Sequence, residues 1–205
     1  AYVNKLKKEG YNIIGVEFYL RKKGCNIIDI KKVNDLIDIM IKDIDINGLF
    51  DVVVCDSVLN SVDSMEAHES VINTFRTLCK PNGKLFFSGR NYDFTSRIEK
   101  QTKSSDKTNY IHFYDNNLFT ANFRGGNWFY QKMHTIKMVN EICKTISNDN
   151  IEVLNSGSSF QCFVKNDIEL SKEEKTKAID FEFDLPLPNG KTYKKNNTIK
   201  KLLGL

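Results

Sequence analysis

The sequence predicts an α/β protein with a mostly parallel sheet, and three observations lead to that prediction. Short apolar segments alternate with segments whose apolar residues recur every three or four positions, a pattern typical of strands joined by helices. The segment FDVVVCD, which begins at Phe50, is continuous and β-branched, as strands buried on both faces of a parallel sheet are. Near the other end of the chain, IEVLNSGSSFQCFVKN predicts an antiparallel hairpin that closes the sheet.

The region before Phe50 predicts a helix, two strands and a second helix. Residues 1–9 have an amphipathic pattern that Gly10 ends. The apolar runs YNIIGVEFY and CNIIDI predict short strands, and KKVNDLIDIMIKDI then repeats apolar residues at helical spacing. Because the first helix has no capping residue before it, we expect that a segment precedes residue 1.

The region after FDVVVCD continues the alternation of helices and strands. Residues 64–78 predict a helix with Ser64 as its N-cap, and a turn at residues 81–83 leads into the strand KLFFSGR. The polar residues 91–109 predict a helix and a loop, and the aromatic residues 110–134 predict two or three strands joined by turns. A helix and the closing hairpin follow. We expect residues 1–166 to form one domain and residues 167–205 a charged C-terminal extension.

Composition narrows the class of protein. The chain has 205 residues, of which 40% are hydrophobic and 27% charged, which suits a folded domain rather than a disordered chain. No apolar run is long enough to cross a membrane. Five scattered cysteines and three separated histidines predict a reduced, cytoplasmic protein without a metal site. A net charge of +4 allows a nucleic-acid partner without requiring one.

Acidic residues end three of the predicted strands: Glu17, Asp29 and Asp56. Ligands of open parallel sheets bind outside the carboxyl ends of the strands, so these carboxylates predict a nucleoside site. We expect Glu17 to accept both ribose hydroxyls, Asp29 with Ile30 to meet the adenine, and Asp56 with Ser57 and Val58 to face the reacting end. Each acid could instead cap a helix or form a turn.

The segments YNIIGVEF, LFDVVVCDSVLNSV and LCKPNGKLFFSGR resemble the second, fourth and sixth motifs of S-adenosylmethionine-dependent methyltransferases with a Rossmann-like sheet. The resemblance covers residues 1–166 and implies S-adenosylmethionine as cofactor and Glu17, Asp29, Ile30, Asp56, Ser57 and Val58 as its contacts. The glycine-rich loop that follows the first strand in this family is absent from the sequence. Either the sequence is a fragment whose first strand and loop lie upstream of residue 1, or it is a natural variant that lacks them, in which case we expect poor affinity for the cofactor.

A narrower resemblance concerns the segments DSVLNSVDSMEAHESV, FFSGR, TANFRGGNWFYQKMH and FEFDLPLPNGKTY. They are similar to methyltransferase domains of phage and plasmid proteins, which are often fused behind a ParB-like domain. That resemblance implies an upstream ParB-like domain as a partner.

The sequence leaves the methyl acceptor open. Asp56, Asn60 and His134 are the candidate catalytic residues, because methyl transfer needs alignment and sometimes a base. The Asn/Asp-Pro-Pro-aromatic loop of enzymes that methylate DNA amino groups is absent, which weakens but does not remove a nucleic-acid acceptor. The aromatic residues 128–130 could stack on a base or pack as a core or lid.

Three functions fit these observations. The first is S-adenosylmethionine-dependent methyl transfer to an unidentified acceptor, with a nucleic acid or nucleotide as one possibility. The second is a non-catalytic binding module of the same fold, associated with a DNA-binding partner. The third is a nicotinamide-dependent oxidoreductase, because an acid after the second strand also serves that cofactor; the closing antiparallel hairpin argues against it.

Overall fold

The computed structural model describes residues 2–25, 27–95, 110–113, 115–124, 127–149, 151–187 and 190–205, without the side chains of 110–113, 122–124 and 127. The chain divides into two compact units. We call residues 1–49 with 179–205 the helical unit and residues 50–178 the sheet unit.

The described residues contain six helices of at least seven residues and seven strands. The helices are α1 (Tyr2–Lys8), α2 (Ile30–Asn47), α3 (Met65–Leu78), α4 (Ile136–Lys144), α5 (Lys172–Asp184) and α6 (Asn196–Leu203). The strands are β1 (Phe50–Cys55), β2 (Cys79–Asn91), β3 (Tyr110–Phe113), β4 (Phe119–Arg124), β5 (Asn127–His134), β6 (Glu152–Ser156) and β7 (Ser159–Lys165). The predicted α/β class is therefore confirmed.

Strand β2 is the centre of the sheet. It pairs in parallel with β1, from Val52 opposite Lys84 to Cys55 opposite Phe87, and antiparallel with β7. Beyond the point where β1 ends, β5 joins β2 in parallel at two residue pairs and continues through β4 to β3. The hairpin of β6 and β7 completes the sheet, as predicted.

The prediction of a mostly parallel sheet is wrong, because four of the six strand pairings are antiparallel. The short connections within the aromatic segment explain the difference. Parallel strands need a crossover of a dozen or more residues, whereas the chain passes from β4 to β5 and from β6 to β7 in two residues each. The connection from β1 to β2 carries a complete helix, α3, and those two strands are parallel.

The two strands predicted before Phe50 are also absent from the described residues. Residues 11–17 are irregular, and the only pairing in this region is a single antiparallel bridge between Arg21 and Ile28. A short apolar run becomes a strand only where another strand accepts its backbone hydrogen bonds, and the run by itself does not show whether one is present.

Helices α3 and α4 cover one face of the sheet. Their residues Phe75 and Val139 pack in one apolar cluster with Leu85, Phe87 and Phe160 of the strands. Val52 and Val54 of β1 are 46% and 49% exposed, so the prediction that β1 is fully buried is wrong. Apolar character alone does not reveal which face of a strand is covered.

Local signals in the sequence agree with the ends of the helices. The Ser64 hydroxyl accepts a hydrogen bond from the Ala67 N–H and caps α3, as predicted. Gly10 follows α1 and has a φ of 91°. The predicted turn at residues 81–83 lies inside β2, where the register with β1 jumps from Cys79 to Lys84. Residues 96–109 of the predicted helix and loop lie outside the described residues.

The helical unit has a small core of its own. Val33, Ile37 and Ile44 on one side of α2 are buried, as is Ile199 of α6, and α2 packs on α6. The Phe18 ring lies edge-on to Phe183 at 5.3 Å.

Candidate functional site

The C-terminal end of β1 carries a polar network in the sheet unit. The Ser88 hydroxyl of β2 donates to Asp56 Oδ1 at 2.6 Å and accepts from the Ser57 N–H at 2.9 Å. The Ser57 hydroxyl donates to the same Asp56 oxygen at 3.4 Å. Asp56 and Ser57 are exposed. Both predicted residues directly follow β1, at the kind of sheet edge where α/β proteins bind ligands.

Ser57 has a φ of 61°, in the left-handed region that serine seldom adopts. Its hydrogen bonds to Ser88 help to hold this conformation, which turns the chain sharply out of the strand. A costly backbone conformation at the tip of a strand is typical of functional sites.

The loop that follows Ser57 is partly buried. Leu59 and Val62 are buried against the unit, whereas Val58 is 41% exposed next to Ser57. Asn60 is buried and its backbone oxygen accepts a hydrogen bond from the Lys132 N–H at 3.1 Å. The Asn60 side-chain oxygen has no hydrogen-bond partner among the described residues. The loop is therefore tied to β5 and holds a buried amide whose hydrogen bonding is incomplete.

His134 lies at the end of β5 and is fully buried. Its Nε2 is 2.9 Å from Nε2 of His68, which is also buried, on α3. One of these nitrogens must donate the hydrogen bond and the other must accept it. Two neutral rings satisfy the contact when one carries its proton on Nε2 and the other on Nδ1. This geometry holds His134 inside the unit and gives no direct support to its predicted catalytic role, which stays a prediction.

Burial keeps both histidines neutral. The pKa of His68 is lowered to about 4, mainly by burial and to a smaller extent by the ammonium group of Lys132, which is itself buried on β5. The pKa of His134 is lowered to about 2 by burial first, then by His68 and by Lys132. The Lys132 ammonium donates to the Asn117 carbonyl at 2.5 Å and lies over the Phe119 ring.

The free energy of unfolding of the sheet unit is expected to fall as the pH is lowered from 6.5 to 4. In this range the unfolded histidines, with pKa values near 6.5, bind protons that the folded ones do not, so acid favours unfolding. Each histidine contributes a slope of up to about 1.4 kcal/mol per pH unit. Urea denaturation can be followed by the fluorescence of Trp128, the only tryptophan and a residue of this unit. His68→Gln should reduce the slope, and an unchanged slope would contradict this assignment.

The helical unit holds the other predicted cofactor residues. Glu17 lies in an irregular segment, and its Oε1 accepts a hydrogen bond from the Tyr19 N–H at 3.2 Å. Asp29 is the N-cap of α2: Oδ1 accepts from the Lys32 N–H at 3.3 Å, and Oδ2 lies 3.4 Å from the Lys32 ammonium. Ile30 is the first residue of that helix. Glu17 Oε2 has neither a hydrogen-bond nor an ion-pair partner among the described residues, whereas both carboxylate oxygens of Asp29 have one.

Sequence reasoning missed Ser88 and His68. Ser88 lies 31 residues beyond Ser57, and His68 lies 66 residues before His134. A serine inside a strand and a histidine on a helix carry no local signal of a site. Their roles depend on pairings that only the fold creates.

Comparison with known families decides the class of this chain. The family described as "Methyltransferase domain" matches residues 2–155, which is most of the chain. The chain belongs to this family of methyltransferase domains. The predicted enzyme class and the predicted cofactor, S-adenosylmethionine, are thereby confirmed at the level of the family. No curated protein sequence matches this methyltransferase domain.

Several solved structures are similar to this domain at low identity. A SAM-dependent methyltransferase from Methanosarcina mazei is 15% identical with a TM-score of 0.39, and the match covers 58% of this chain and 60% of that protein. The methyltransferase domain therefore spans less than two thirds of the Methanosarcina protein. An S-adenosylmethionine-dependent methyltransferase from Clostridium acetobutylicum is 12% identical with a TM-score of 0.38, covering 79% and 68%. The PH0226 protein from Pyrococcus horikoshii is 14% identical with a TM-score of 0.48, covering 80% and 77%.

The described part of the methyltransferase domain has neither a cluster of metal ligands nor a membrane-spanning helix. No three histidine, cysteine, aspartate or glutamate side chains lie together there as ligands for a metal ion. None of the helices there has the length and apolar character to span a bilayer.

Proposed function

We propose that this chain transfers the methyl group of S-adenosylmethionine to an acceptor held beside the C-terminal end of β1. The supporting observation is the Asp56 carboxylate, which Ser88 and Ser57 orient at the exposed edge of a sheet in a methyltransferase domain. When bound, S-adenosylmethionine would supply a methyl group on a positively charged sulfur, which the acceptor's lone pair takes as the carbon–sulfur bond breaks.

The residues at this edge fit that cofactor. Asp56 Oδ2 accepts no hydrogen bond from the described residues, so the carboxylate can accept one from an amino group of the ligand. Ser57 adds a hydroxyl and Val58 an exposed apolar surface for the rest of the ligand. For Glu17 of the helical unit, we propose separately that its free carboxylate oxygen binds a ribose hydroxyl. Lys32 engages both oxygens of Asp29, so we expect Asp29 with Ile30 to contribute less to binding.

We propose a nucleic acid or nucleotide as the acceptor. Trp128, Phe129 and Tyr130 of β5 are 53%, 50% and 65% exposed, so each presents aromatic surface to solvent, the kind of surface on which bases stack. The net charge of +4 favours an anionic partner. Asn60 and His134 are the residues proposed to contact the acceptor. Of the two we favour Asn60, because its side-chain oxygen has no hydrogen-bond partner among the described residues.

Four finer predictions belong to the same proposal. They are a Rossmann-like arrangement of the sheet, a domain that extends to residue 166, a phage or plasmid type with a ParB-like partner, and a cytoplasmic location. The motifs quoted above support them through their resemblance.

Calorimetric titration of the chain with S-adenosylmethionine tests the proposed function. Asp56→Asn is expected to weaken binding roughly tenfold, because it removes the charge that a cationic ligand group meets. Ser88→Ala should weaken binding less, because the carboxylate stays but loses its orientation. Asp51→Asn is the matched control, since it removes the same charge at the opposite end of β1, where Asp51 pairs with Lys80.

The outcomes separate the three functions. Equal affinity of wild type and Asp56→Asn would remove Asp56 from the site, and unchanged affinity of Glu17→Ala would remove Glu17. Saturable binding of NAD instead of S-adenosylmethionine would favour an oxidoreductase. Binding of neither cofactor would favour the non-catalytic module.

A further inference from the structure

A cleft of about 570 Å³ opens between α3 and α4 in the sheet unit. Asp56, Ser57 and Ser88 do not line it, so it does not include the polar network at the end of β1, although the buried His134 does line it. Its lining runs along α3 from Met65 to Arg76, which is a length of about 16 Å or three helical turns. Residues of α4, residues 168–170 and Glu174 also line it.

Apolar side chains form the walls of the cleft. These side chains are Ile72 of α3, Met138 and Ile142 of α4, and Leu170. Met138 and Ile142 are half-buried, so burying them further against a partner would be favourable. A long groove with apolar walls between two helices is the kind of surface that receives the apolar face of a third helix.

The rim of the cleft is acidic, although the chain as a whole is basic. Four glutamates line it and are exposed: Glu69, Glu141, Glu169 and Glu174. Glu141 and Glu169 have lysine neighbours at 4.0 and 3.0 Å, but their side chains are 60% and 82% exposed. Such exposed ion pairs are weak, so they leave these carboxylates available to a partner.

The two cations of the cleft offset this rim only in part. Arg76 and Lys132 are buried. Arg76 donates to the Ile168 carbonyl at 2.8 Å and interacts with the Glu174 carboxylate, and Lys132 is held by Asn117 as described above. The four glutamates and two cations that line the cleft leave a net charge of −2 there, on a chain whose net charge is +4.

We propose that this cleft is the docking groove for a basic amphipathic helix of a partner protein. The apolar face of that helix would contact Ile72, Met138 and Ile142. Lysine or arginine residues on its flanks would meet Glu69 on one side of the groove and Glu141 on the other. Charge complementarity of this kind steers association and sets orientation.

Fluorescence anisotropy with two labelled synthetic helices tests the proposal. Both carry the same three-turn leucine stripe, and one has lysine flanks where the other has glutamate flanks. The lysine-flanked peptide is expected to bind at least tenfold more tightly. Met138→Gln should weaken its binding severalfold because the wall loses apolar surface.

A charge reversal identifies the rim residues. The double variant Glu69→Lys with Glu141→Lys should bind the glutamate-flanked peptide more tightly than the lysine-flanked one. Glu152→Lys is the matched control, because this exposed glutamate lies on β6 outside the cleft and should leave the preference unchanged. Circular dichroism confirms that each variant is folded.

Three results would overturn the proposal: no binding of either peptide, equal binding of both, or a preference that the double variant does not reverse. Self-association of the protein that excludes the peptide would also overturn it, since the occupant would then be a second copy. None of these results bears on S-adenosylmethionine binding, which Asp56→Asn tests separately.

Discussion

Replacing Gly89 with alanine is expected to lower the free energy of unfolding of the sheet unit by about 2–3 kcal/mol. Gly89 of β2 is opposite Phe160 of β7. An added Cβ would lie 2.7 Å from Cε1 and 2.9 Å from Cζ of the Phe160 ring, which is far closer than carbon atoms approach without repulsion. Urea denaturation followed by Trp128 fluorescence measures the loss.

The Phe160 ring has little room to move away. It is fully buried, with its centroid 5.3 Å from that of His134 and 6.2 Å from that of Phe87. A shift of the ring would therefore disturb the histidine pair and the apolar cluster together. Close packing of this kind is why added volume in a core is destabilising.

A second substitution distinguishes this clash from a general loss of stability. Phe160→Leu alone should destabilise the unit because it leaves a cavity. In the Gly89→Ala background the same change should cost much less or restore stability, because the smaller side chain makes room for the new methyl group. If the two losses simply add, steric repulsion by Phe160 is not the cause.

Replacing Glu182 with glutamine is expected to stabilise the helical unit by about 3 kcal/mol at pH 8 and by almost nothing at pH 4. Glu182 of α5 is buried, and burial raises its pKa from 4.5 to about 7. Between these values the unfolded chain loses a proton that the folded chain keeps, so stability falls as the pH rises from 4.5 to 7. Each unit of pKa shift corresponds to about 1.4 kcal/mol, and glutamine avoids the loss because it has no charge to desolvate.

Thermal unfolding followed by far-ultraviolet circular dichroism at pH 4, 6 and 8 measures the difference between wild type and Glu182→Gln. The control is Glu173→Gln on the exposed first turn of the same helix, which changes the net charge equally and should leave the midpoint nearly unchanged at each pH. A difference that is equal at pH 4 and pH 8 would show that ionisation of Glu182 is not responsible.

Helices α1 to α4 followed from the sequence because their signals are local, whereas α5 and α6 lie in residues 167–205, which were predicted only as a charged extension. In α2 the buried residues Val33, Ile37, Met40 and Ile44 recur at helical spacing, and Gly48 follows with a φ of 76°. Side chains three and four positions apart share one face of a helix wherever the helix lies in the fold. The spacing therefore predicts both the helix and its buried face.

The strands required information that the sequence does not contain locally. FDVVVCD became β1 because β2 accepts its hydrogen bonds, whereas YNIIGVEFY, with a similar apolar content, is mainly irregular. Pairing depends on distant residues, so the direction of the sheet, the exposed face of Val52 and Val54, and the missing early strands could not be predicted.

The residues of the candidate site also fall into two groups, those that the local sequence predicts and those that only the fold reveals. Asp56 and Ser57 could be predicted from the sequence, because a polar pair directly follows an apolar strand. Ser88, which orients Asp56, and His68, which holds His134, became recognisable only when β2 and α3 were in place. The sequence by itself determined helices α1 to α4, the strand β1 and the acid at its tip, since each depends on neighbours along the chain. Only the tertiary structure decided the strand directions, the partners of the site residues and the acidic cleft, because each depends on contacts between residues far apart in the chain.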